Sequence, residues 1–463
     1  MPRWNLAWLL GIPGVILLGY AVSNSAPPQE KDQDYELVSL VVRVLNEVDH
    51  KYVKSLDYEA KRKLVEDMVN GGLVRLDPHS SFINAREYKR FTTTSRGKFG
   101  GVGIQLVVDR RDRLMVQSPM VGTPAYEAGV LAGDLILKIN GKPTENMKVD
   151  DAVELIQGEP GQKVTLSVLH EGAKKEVDLD LVRAEIHVPT VMGDSRKQDD
   201  PKEWDYLLDK SNKIGYVRVL SFSENTAADL HTALESLQKD GMRGLILDLR
   251  TNPGGLLRSA VDISRMFLSD GRIVSTKGRD RAEETYDAKP GTAMFASKET
   301  FPIAVLVNRF SASASEIVAA ALQDHDRAVV VGERSYGKGS VQNIIEMEGH
   351  TSALKLTTAS YWRPSGKNIH RFPESKDTEE WGVKPNPGFE IELKDEERLD
   401  YFRDRRERDT VRGKDATKPA PSKDSKDEKE KKPFVDRTLE KALEYLRTEI
   451  KHAEPVPART GAA

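Results

Sequence analysis

The run Ser311-Ala312-Ser313-Ala314-Ser315-Glu316 offers three hydroxyl groups between an apolar stretch and a helical one. A serine at a strand-to-helix turn lies beside unpaired backbone N–H groups at the positive end of the helix dipole. Such groups can stabilise a developing oxyanion, so the run predicts a nucleophilic serine. The alternative is structural, because Ser313-x-x-Glu316 also fits a capping box, in which the serine only begins the helix.

A second candidate is residues 332–339, which read Gly-Glu-Arg-Ser-Tyr-Gly-Lys-Gly and nearly match the phosphate-binding loop G-x-x-x-x-G-K-[ST]. The match fails at Gly339, where that loop needs a hydroxyl for magnesium. It fails again beyond this position, because residues 341–345 and 352–357 alternate like strands. Asp248 could still act as a magnesium-side aspartate, which leaves a P-loop NTPase as a distant alternative.

A third candidate is the turn Asp248-Leu249-Arg250-Thr251-Asn252-Pro253-Gly254-Gly255-Leu256. A strand ends there, a Pro-Gly-Gly turn exposes backbone amides and a helix begins, an arrangement that can bind an anion. An ordinary strand-to-helix turn is the alternative.

Composition excludes several classes of chemistry. Lys+Arg 70 against Asp+Glu 73 gives a net charge of -3, so no basic field indicates a nucleic-acid partner. The chain has no cysteine, which excludes disulfides, thiolate nucleophiles and thiolate metal sites. No histidine pair has the H-E-x-x-H spacing of a zinc hydrolase. These absences concern thiolate-based chemistry and helix-borne zinc hydrolases.

The first 24 residues predict a signal or anchor segment, with one arginine ahead of an apolar run. This predicts an extracytoplasmic protein on the periplasmic side, anchored to the inner membrane or secreted after cleavage of the segment. A buried helix of a soluble domain is the alternative.

The remaining chain changes its periodicity several times, which predicts a multidomain α/β protein. Helical spacing comes first, then short strands with glycine turns, then strands alternating with helices, and finally a charged stretch before an apolar-striped helix. The predicted regions are an N-terminal helical region at 35–95, a β-rich domain at 97–184, an α/β core at 185–395, a charged disordered linker at 396–432 and a C-terminal helix at 433–453.

The stretch SPMVGTPAYEAGVLAGDLILKINGKPTENM, within residues 97–184, resembles the central part of a PDZ domain. The segment Gly101-Val102-Gly103-Ile104 is similar to the carboxylate-binding loop of that domain. Successive backbone N–H groups in such a loop can bind a terminal carboxylate while the peptide adds to the sheet edge. A glycine-rich hairpin is the alternative for the loop alone.

The three candidate turns, read together, carry a second resemblance. DLRTNPGGLL, VLVNRFSASASEIVAAALQD and VVGERSYGKGSVQN occur in the order and spacing of the C-terminal processing peptidases, also called tail-specific proteases. The resemblance spans about Tyr35–Pro387. It implies a serine endopeptidase with a PDZ domain that engages the C-terminal tails of protein substrates.

The resemblance also implies roles for particular residues. The nucleophile falls on Ser313, with Ser311 and Ser315 as the nearest rivals. The general base falls on Lys338, and Gln342 matches the glutamine that positions it. The implied oxyanion hole consists of the backbone N–H groups of Ala314 and Gly255. The implied mechanism passes through an acyl-enzyme, and we expect neither a metal nor a cofactor in it.

A lysine can act as a base only in an unusual environment. Its ordinary pKa of about 10.4 keeps it protonated at neutral pH, but burial among apolar groups lowers that pKa. Apolar residues surround Lys338 in the sequence, so the neutral amine is a reasonable expectation. A histidine-based triad using His325 is the competing mechanism, although His325 fits a solvated helix end better.

Two apolar helical faces, at Leu37–Leu45 and Leu439–Ile450, have no assigned partner in the sequence. A helical stripe of this kind has to pack against something, in the same chain or in a second copy. They predict a homo-oligomer. A non-catalytic PDZ scaffold on a peptidase fold is the alternative function, although a scaffold has no need for Ser313, Lys338 and Gln342 together.

Overall fold

The computed structural model describes residues 30–197, 199–200, 202–279, 282–298, 300–413 and 434–452. The predicted anchor segment at 1–24 and most of the predicted linker lie outside these residues. Among the helices of the described ranges, none combines the length and the apolar character needed to cross a membrane. The chain divides into two compact units between Leu76 and Asp77.

The described part of the first unit, from residue 30 onward, contains two helices, α1 (Glu30–Lys51) and α2 (Tyr58–Leu73). Helix α2 begins at an aspartate cap, where the Asp57 carboxylate accepts the Ala60 N–H at 2.8 Å. The apolar side chains that recur along α1 are exposed, including Leu37 at 65% and Leu40 at 57%.

The predicted helical region at 35–95 is not one structural unit, because its last third belongs to the second unit. That part contains β1 (Ser81–Ile83) and most of α3 (Ala85–Arg96), and β2 (Lys98–Gly101) follows it. The capping box of Asn84 and Glu87 begins α3, and Gly97 ends it at φ +71°. Strand β1 pairs antiparallel with a late strand of the second unit, at residues 353–355.

The predicted β-rich domain is present. Its elements are β3 (Ile104–Val108), β4 (Leu114–Pro119), α4 (Pro124–Glu127), β5 (Leu135–Ile139), β6 (Lys142–Pro143), α5 (Val149–Ile156), β7 (Lys163–Leu169) and β8 (Val177–Val182). The sheet has the order β3-β4-β5-β7-β8, with β6 paired to β5, so that β3 forms a sheet edge. Helices α4 and α5 pack on one continuous apolar core.

The α/β core follows five short strands that connect it to the β-rich domain. These connecting strands are β9 (Ala184–His187), β10 (Val191–Met192), β11 (Ser195–Arg196), β12 (Trp204–Asp205) and β13 (Leu207–Asp209). The core elements are β14 (Ile214–Val219), α6 (Thr226–Lys239), β15 (Gly244–Asp248), α7 (Leu257–Arg265), β16 (Arg272–Gly278), β17 (Glu284–Asp287), β18 (Ile303–Val307), α8 (Ala314–Asp324), β19 (Val329–Gly332), β20 (Ser340–Met347) and β21 (Ser352–Trp362).

Strands β14, β15, β18 and β19 are parallel neighbours in one sheet, with β10 and β13 antiparallel at β14. A second, antiparallel sheet has the order β1-β21-β16-β17, with β20 paired to β21. Because β15, β18 and β19 run in the same direction, the turns that follow them lie at one edge of the sheet. These are the three candidate turns of the sequence.

The predicted disordered linker at 396–432 is wrong at its start, because Asp395–Asp409 forms helix α9. Acidic residues in the first turn and arginines in the last favour this helix through its dipole. The helix buries Tyr401 and also Arg405, whose guanidinium donates to Asp194 at 2.9 Å. An ion-paired helix has almost no apolar stripe, which is why the sequence pattern did not reveal it.

The C-terminal helix α10 (Arg437–His452) packs on the parallel sheet of its own chain. Its buried residues Ala442, Leu446 and Ile450 contact one face of the sheet, while α6, α7 and α8 contribute to the core on the other. The apolar stripe at Leu439–Ile450 is therefore satisfied within the chain, and this stripe cannot support self-association.

Candidate active site

The serine turn lies between β18 and α8, and one of its three serines differs from the others. Ser311 and Ser315 are fully buried, and their hydroxyls donate to the Leu249 and Asn252 carbonyls at 2.8 and 3.0 Å. Ser313 keeps 8% of its surface exposed. It has φ +56° and ψ −114°, a strained backbone conformation for a residue with a Cβ. This geometry favours Ser313 over its rivals as the nucleophile.

Residues 248–256 form a turn that packs directly against the serine turn. The Thr251 N–H donates to Asn308 Oδ1 at 2.9 Å, and the Ala312 N–H donates to the Asn252 carbonyl at 3.0 Å. A Cβ on Gly254 would lie 2.8 Å from Ser313 Cβ, so only glycine allows this close approach.

The two predicted oxyanion donors remain available on these turns. The N–H groups of Gly255 and Ala314 donate no hydrogen bond within the described part of the chain. Gly255 is anchored on both sides, because the Phe222 N–H donates to the Gly254 carbonyl and the Leu256 N–H to the Phe222 carbonyl, at 3.0 and 2.8 Å. Free donors on a rigid turn are what an oxyanion hole requires.

Lys338 lies in the loop between β19 and β20, with its side chain partly buried. Burial lowers the pKa of the Lys338 ammonium, the charge of Lys355 lowers it further, and the Glu316 carboxylate opposes both effects. The net direction is a lowered pKa, which makes the ammonium easier to deprotonate, as a general base requires. The strand that follows, β20, replaces the helix of a phosphate-binding loop and contradicts the NTPase alternative.

Glu316 connects the serine turn to the lysine loop. Its Oε2 accepts the N–H groups of Ser313 and Lys338, each at 2.8 Å. Its Oε1 accepts the Ser335 hydroxyl and the Gly337 N–H, each at 2.6 Å. The side chain is fully buried.

The surroundings of Glu316 act on its carboxyl group in two opposite ways. Burial raises the pKa of Glu316, and the four hydrogen bonds partly offset this effect. Among the described residues its hydrogen-bond partners are four donors, and burial outweighs their effect, so the net direction is a raised pKa. The capping-box interpretation is thus correct for the glutamate, but it is incomplete. The missed signal was a carboxylate inside the otherwise apolar start of α8.

Gln342 lies on β20, where its amide nitrogen donates to Ser340 Oγ at 2.9 Å and to Thr357 Oγ1 at 3.1 Å. Within the described ranges it forms no hydrogen bond to Lys338, so its positioning role stays a prediction. Thr357 also donates to the Asp77 carboxylate at 3.0 Å. Asp77 precedes His79, whose pKa is lowered by burial and by the charge of Lys338. The sequence did not predict the contacts of Thr357 with Gln342 and Asp77, or the effect of the Lys338 charge on His79.

The chain matches two known sequence families and several known proteins. The sequence model described as Peptidase family S41 matches residues 213–386, and the one described as PDZ domain matches residues 115–169. The carboxy-terminal-processing protease of Bartonella bacilliformis is 36% identical over 451 residues, covering 96% of each chain. The chain belongs to peptidase family S41. It is a C-terminal processing protease of the serine type, and both resemblances seen in the sequence are confirmed.

Two further relatives of this S41 peptidase extend the comparison. The carboxy-terminal processing protease CtpA of Bacillus subtilis is 36% identical over 358 residues, covering 76% of this chain and 70% of its own. Among solved structures, the photosystem II D1 C-terminal processing protease is 28% identical and covers 75% of this chain and 86% of its own, with a TM-score of 0.40.

The histidine alternative does not fit the peptidase core. His325 caps the C-terminal end of α8, whereas Ser313 precedes the first residue of the same helix. Their positions are twelve residue steps apart, which corresponds to about 18 Å along the helix axis. The His325 ring also binds the Arg272 carbonyl at 2.6 Å. A proton transfer between the two side chains is therefore geometrically excluded.

The predicted carboxylate-binding loop of the PDZ domain connects β2 to the edge strand β3. Gly103 has φ +79°, and a Cβ there would lie 2.4 Å from the Thr123 side chain. The Gly103 carbonyl accepts the Met120 N–H at 2.8 Å and the Thr123 hydroxyl at 3.2 Å. These two hydrogen bonds fix the loop from Gly101 to Ile104 beside the edge strand β3. Val102, within the loop, is fully buried. Its contact with a substrate stays a prediction.

Proposed function

We propose that this peptidase cleaves polypeptides near their C-termini through a Ser313–Lys338 dyad, while its PDZ domain binds the C-terminal tail of the substrate. The main support is the bridging carboxylate of Glu316. Because one oxygen accepts the backbone N–H groups of both Ser313 and Lys338, the two segments are fixed beside each other. Two loops held in this way can align a nucleophile with its base before substrate binds.

In the first half of the reaction, the neutral Lys338 amine takes the proton of the Ser313 hydroxyl as its oxygen attacks the scissile carbonyl carbon. The N–H groups of Gly255 and Ala314 stabilise the resulting oxyanion. When the carbon–nitrogen bond breaks, the Lys338 ammonium gives its proton to the leaving amine. An acyl-enzyme on Ser313 and a C-terminal peptide fragment result.

In the second half, water attacks the acyl carbon and Lys338 accepts the proton of that water. The ester bond to Ser313 then breaks, and the proton passes from the Lys338 ammonium to the serine oxygen. The new C-terminal carboxylate leaves and the dyad returns to its initial state. One water is consumed for each peptide bond that is cleaved.

The PDZ domain supplies the reason for cleavage near the C-terminus. A tail can pair with the edge strand β3 while its carboxylate reaches the N–H groups of the loop at Gly101–Ile104. Backbone pairing tolerates many sequences, so we propose that the free carboxylate is the recognised feature. A substrate whose tail is bound there can place only a limited stretch of its chain, upstream of the tail, against Ser313.

One experiment tests the dyad and the tail together. An unstructured polypeptide with a free C-terminus, and the same chain amidated at its C-terminus, are digested from pH 6 to 10 by the wild type and by Lys355→Ala. We expect kcat/KM to rise with pH through a pKa below the ordinary lysine value, since only the neutral amine is active. Because the Lys355 charge lowers the pKa of Lys338, its removal shifts this rise to higher pH. We expect amidation to raise KM about 10-fold, which corresponds to about 1.4 kcal/mol.

Three results would contradict the proposal. A flat profile, or one unmoved by Lys355→Ala, would exclude Lys338 as the titrating base. Equal KM for both substrates would exclude carboxylate recognition. Binding of the peptide without any cleavage would favour the non-catalytic scaffold.

We also propose that the peptidase acts outside the cytoplasm, on the periplasmic side, tethered or exported through residues 1–24, and that it self-associates through α1. The support is the apolar N-terminal run and the exposed face of α1. Cell fractionation is expected to place the protein in the membrane or periplasmic fraction. Light scattering is expected to show an oligomer that Leu37→Glu and Leu40→Glu dissociate. Recovery of the protein in the cytoplasmic fraction would refute the proposed location. A monomeric wild type would refute self-association through α1.

A further inference from the structure

Arg250 is part of the turn at 248–256, and two carboxylates hold its side chain. Its Nε and Nη2 donate to the two oxygens of Asp248 at 2.7–3.0 Å. Its Nη1 and Nη2 contact the two oxygens of Asp436, each at 2.9 Å. The guanidinium also lies over the Tyr401 ring, at 4.7 Å from its centre. Only 3% of the Arg250 side chain is exposed, so these groups fix its position.

The first of these carboxylates controls how the chain leaves the sheet. Asp248 is the last residue of β15, and it is fully buried. Its Oδ1 accepts the backbone N–H of Arg250 at 2.9 Å as well as the Arg250 Nε at 3.0 Å. The arginine side chain and its own backbone are thus tied to one oxygen at the first residues of the turn. The same turn then places Gly254 against Ser313 and presents the Gly255 N–H.

The second carboxylate comes from the C-terminal segment, beyond residues 414–433. Asp436 precedes α10, and its Oδ1 also accepts the Leu439 N–H at 3.1 Å. The Asp436 side chain therefore caps helix α10 and also binds the guanidinium of Arg250 in the turn. A cap on its own needs no buried guanidinium, and a helix that only covers a sheet needs no contact with this turn.

We propose that Asp436 is a positioning residue for the oxyanion turn, so that the C-terminal segment 434–452 is required for the full catalytic rate. This inference rests on the proposed Ser313–Lys338 mechanism. It adds a residue that lies outside the region 213–386 matched by the S41 family. Loss of the Asp436 contact leaves the Arg250 guanidinium held by Asp248 and the Tyr401 ring, and it removes the carboxylate partner of Nη1. Small displacements of such a turn misplace the Gly255 N–H relative to the oxyanion.

The test uses the full chain with two substitutions that keep the helix cap. Asp436→Asn retains a capping oxygen without the charge, and Asp436→Ser retains a cap too short to reach Arg250. Arg447→Ala is the matched control, because it removes an ion pair of the same helix, to Asp209 at 2.8 Å, away from the turn. Ser313→Ala is measured in the same series. The readouts are kcat, KM and the midpoint of thermal unfolding.

We expect kcat to fall about 10-fold or more in both Asp436 variants, with KM within about 2-fold of wild type, because a misplaced catalytic group slows the reaction without weakening substrate binding. Arg447→Ala is expected to keep the wild-type kcat. Wild-type kcat in both Asp436 variants, with cleavage lost in Ser313→Ala, would overturn this inference and leave the proposed mechanism intact. If Arg447→Ala lowered kcat and the unfolding midpoint as much as the Asp436 variants do, the inference would also be overturned. Docking of the helix alone would then account for the loss of activity.

Discussion

Ser313→Ala is expected to lower kcat by at least about 10⁴-fold, because no other group on the serine turn can form the acyl-enzyme. The hydroxyls of Ser311 and Ser315 are buried and engaged with backbone carbonyls, so they cannot substitute for it. The substitution removes a single oxygen from a residue with 8% exposure and should leave the fold unchanged. Mass spectrometry of the released C-terminal fragments measures the residual rate.

Two lysine variants separate a base from a positive charge. Lys338→Ala removes both, whereas Lys338→Arg keeps the charge but cannot become neutral in a protein. We expect both variants to be as inactive as Ser313→Ala, and the Ser313→Ala/Lys338→Ala double variant to be no worse, because the two residues act as a unit. An active Lys338→Arg would show that the charge is sufficient, and additive losses would show that the two residues act independently.

Glu316→Gln is expected to lower kcat/KM by about 100-fold while preserving the size of the side chain. Both Glu316 oxygens accept two donors each, so an amide NH₂ in place of either oxygen would face an N–H or O–H group instead of an acceptor. An unsatisfied buried polar group of this kind costs about 1–3 kcal/mol. Movement of the serine turn away from the lysine loop would lower that cost, so we expect the two segments to move apart. A displacement of about 1 Å between nucleophile and base is enough to cost about 10²-fold in rate.

The matched control is Glu87→Gln, which makes the same change in the capping box of α3. It is expected to cleave at the wild-type rate. If Glu316→Gln were equally active, the carboxylate would be only a helix cap. If both variants lost activity together with stability, the effect would belong to helix capping in general.

Glu316 also predicts a pH dependence of stability. Its pKa is raised in the folded protein, so the native state holds the proton more tightly than the unfolded chain does. The contribution to the free energy of unfolding is therefore complete below the unfolded pKa, and it decreases as the pH rises toward the folded pKa. Urea unfolding across this range should show the decrease in wild type and a flatter profile in Glu316→Gln.

The sequence alone determined the local structure of the core and the identity of its turns. Parallel strands such as Leu245–Leu247 and Val329–Val331 are apolar on both faces and are bounded by glycine, so hydropathy predicts them. The serine run, the Gly254–Gly255 turn and Lys338 could be recognised for a similar reason. Each is a contiguous motif whose conformation depends mainly on its neighbours along the chain.

Only the tertiary structure decided what connects these turns. Glu316 reaches a loop 21 and 22 residues away, and Asp436 reaches Arg250 across 186 residues, so no periodicity along the chain could reveal either contact. The ion-paired helix α9 was missed for the same reason, since its partner Asp194 lies 211 residues from Arg405. Parallel pairing of β15, β18 and β19 brings the ends of strands that are distant in the sequence to one edge of the sheet. There the buried Glu316 carboxylate accepts hydrogen bonds from the lysine loop, which lies 19 to 22 residues away along the chain.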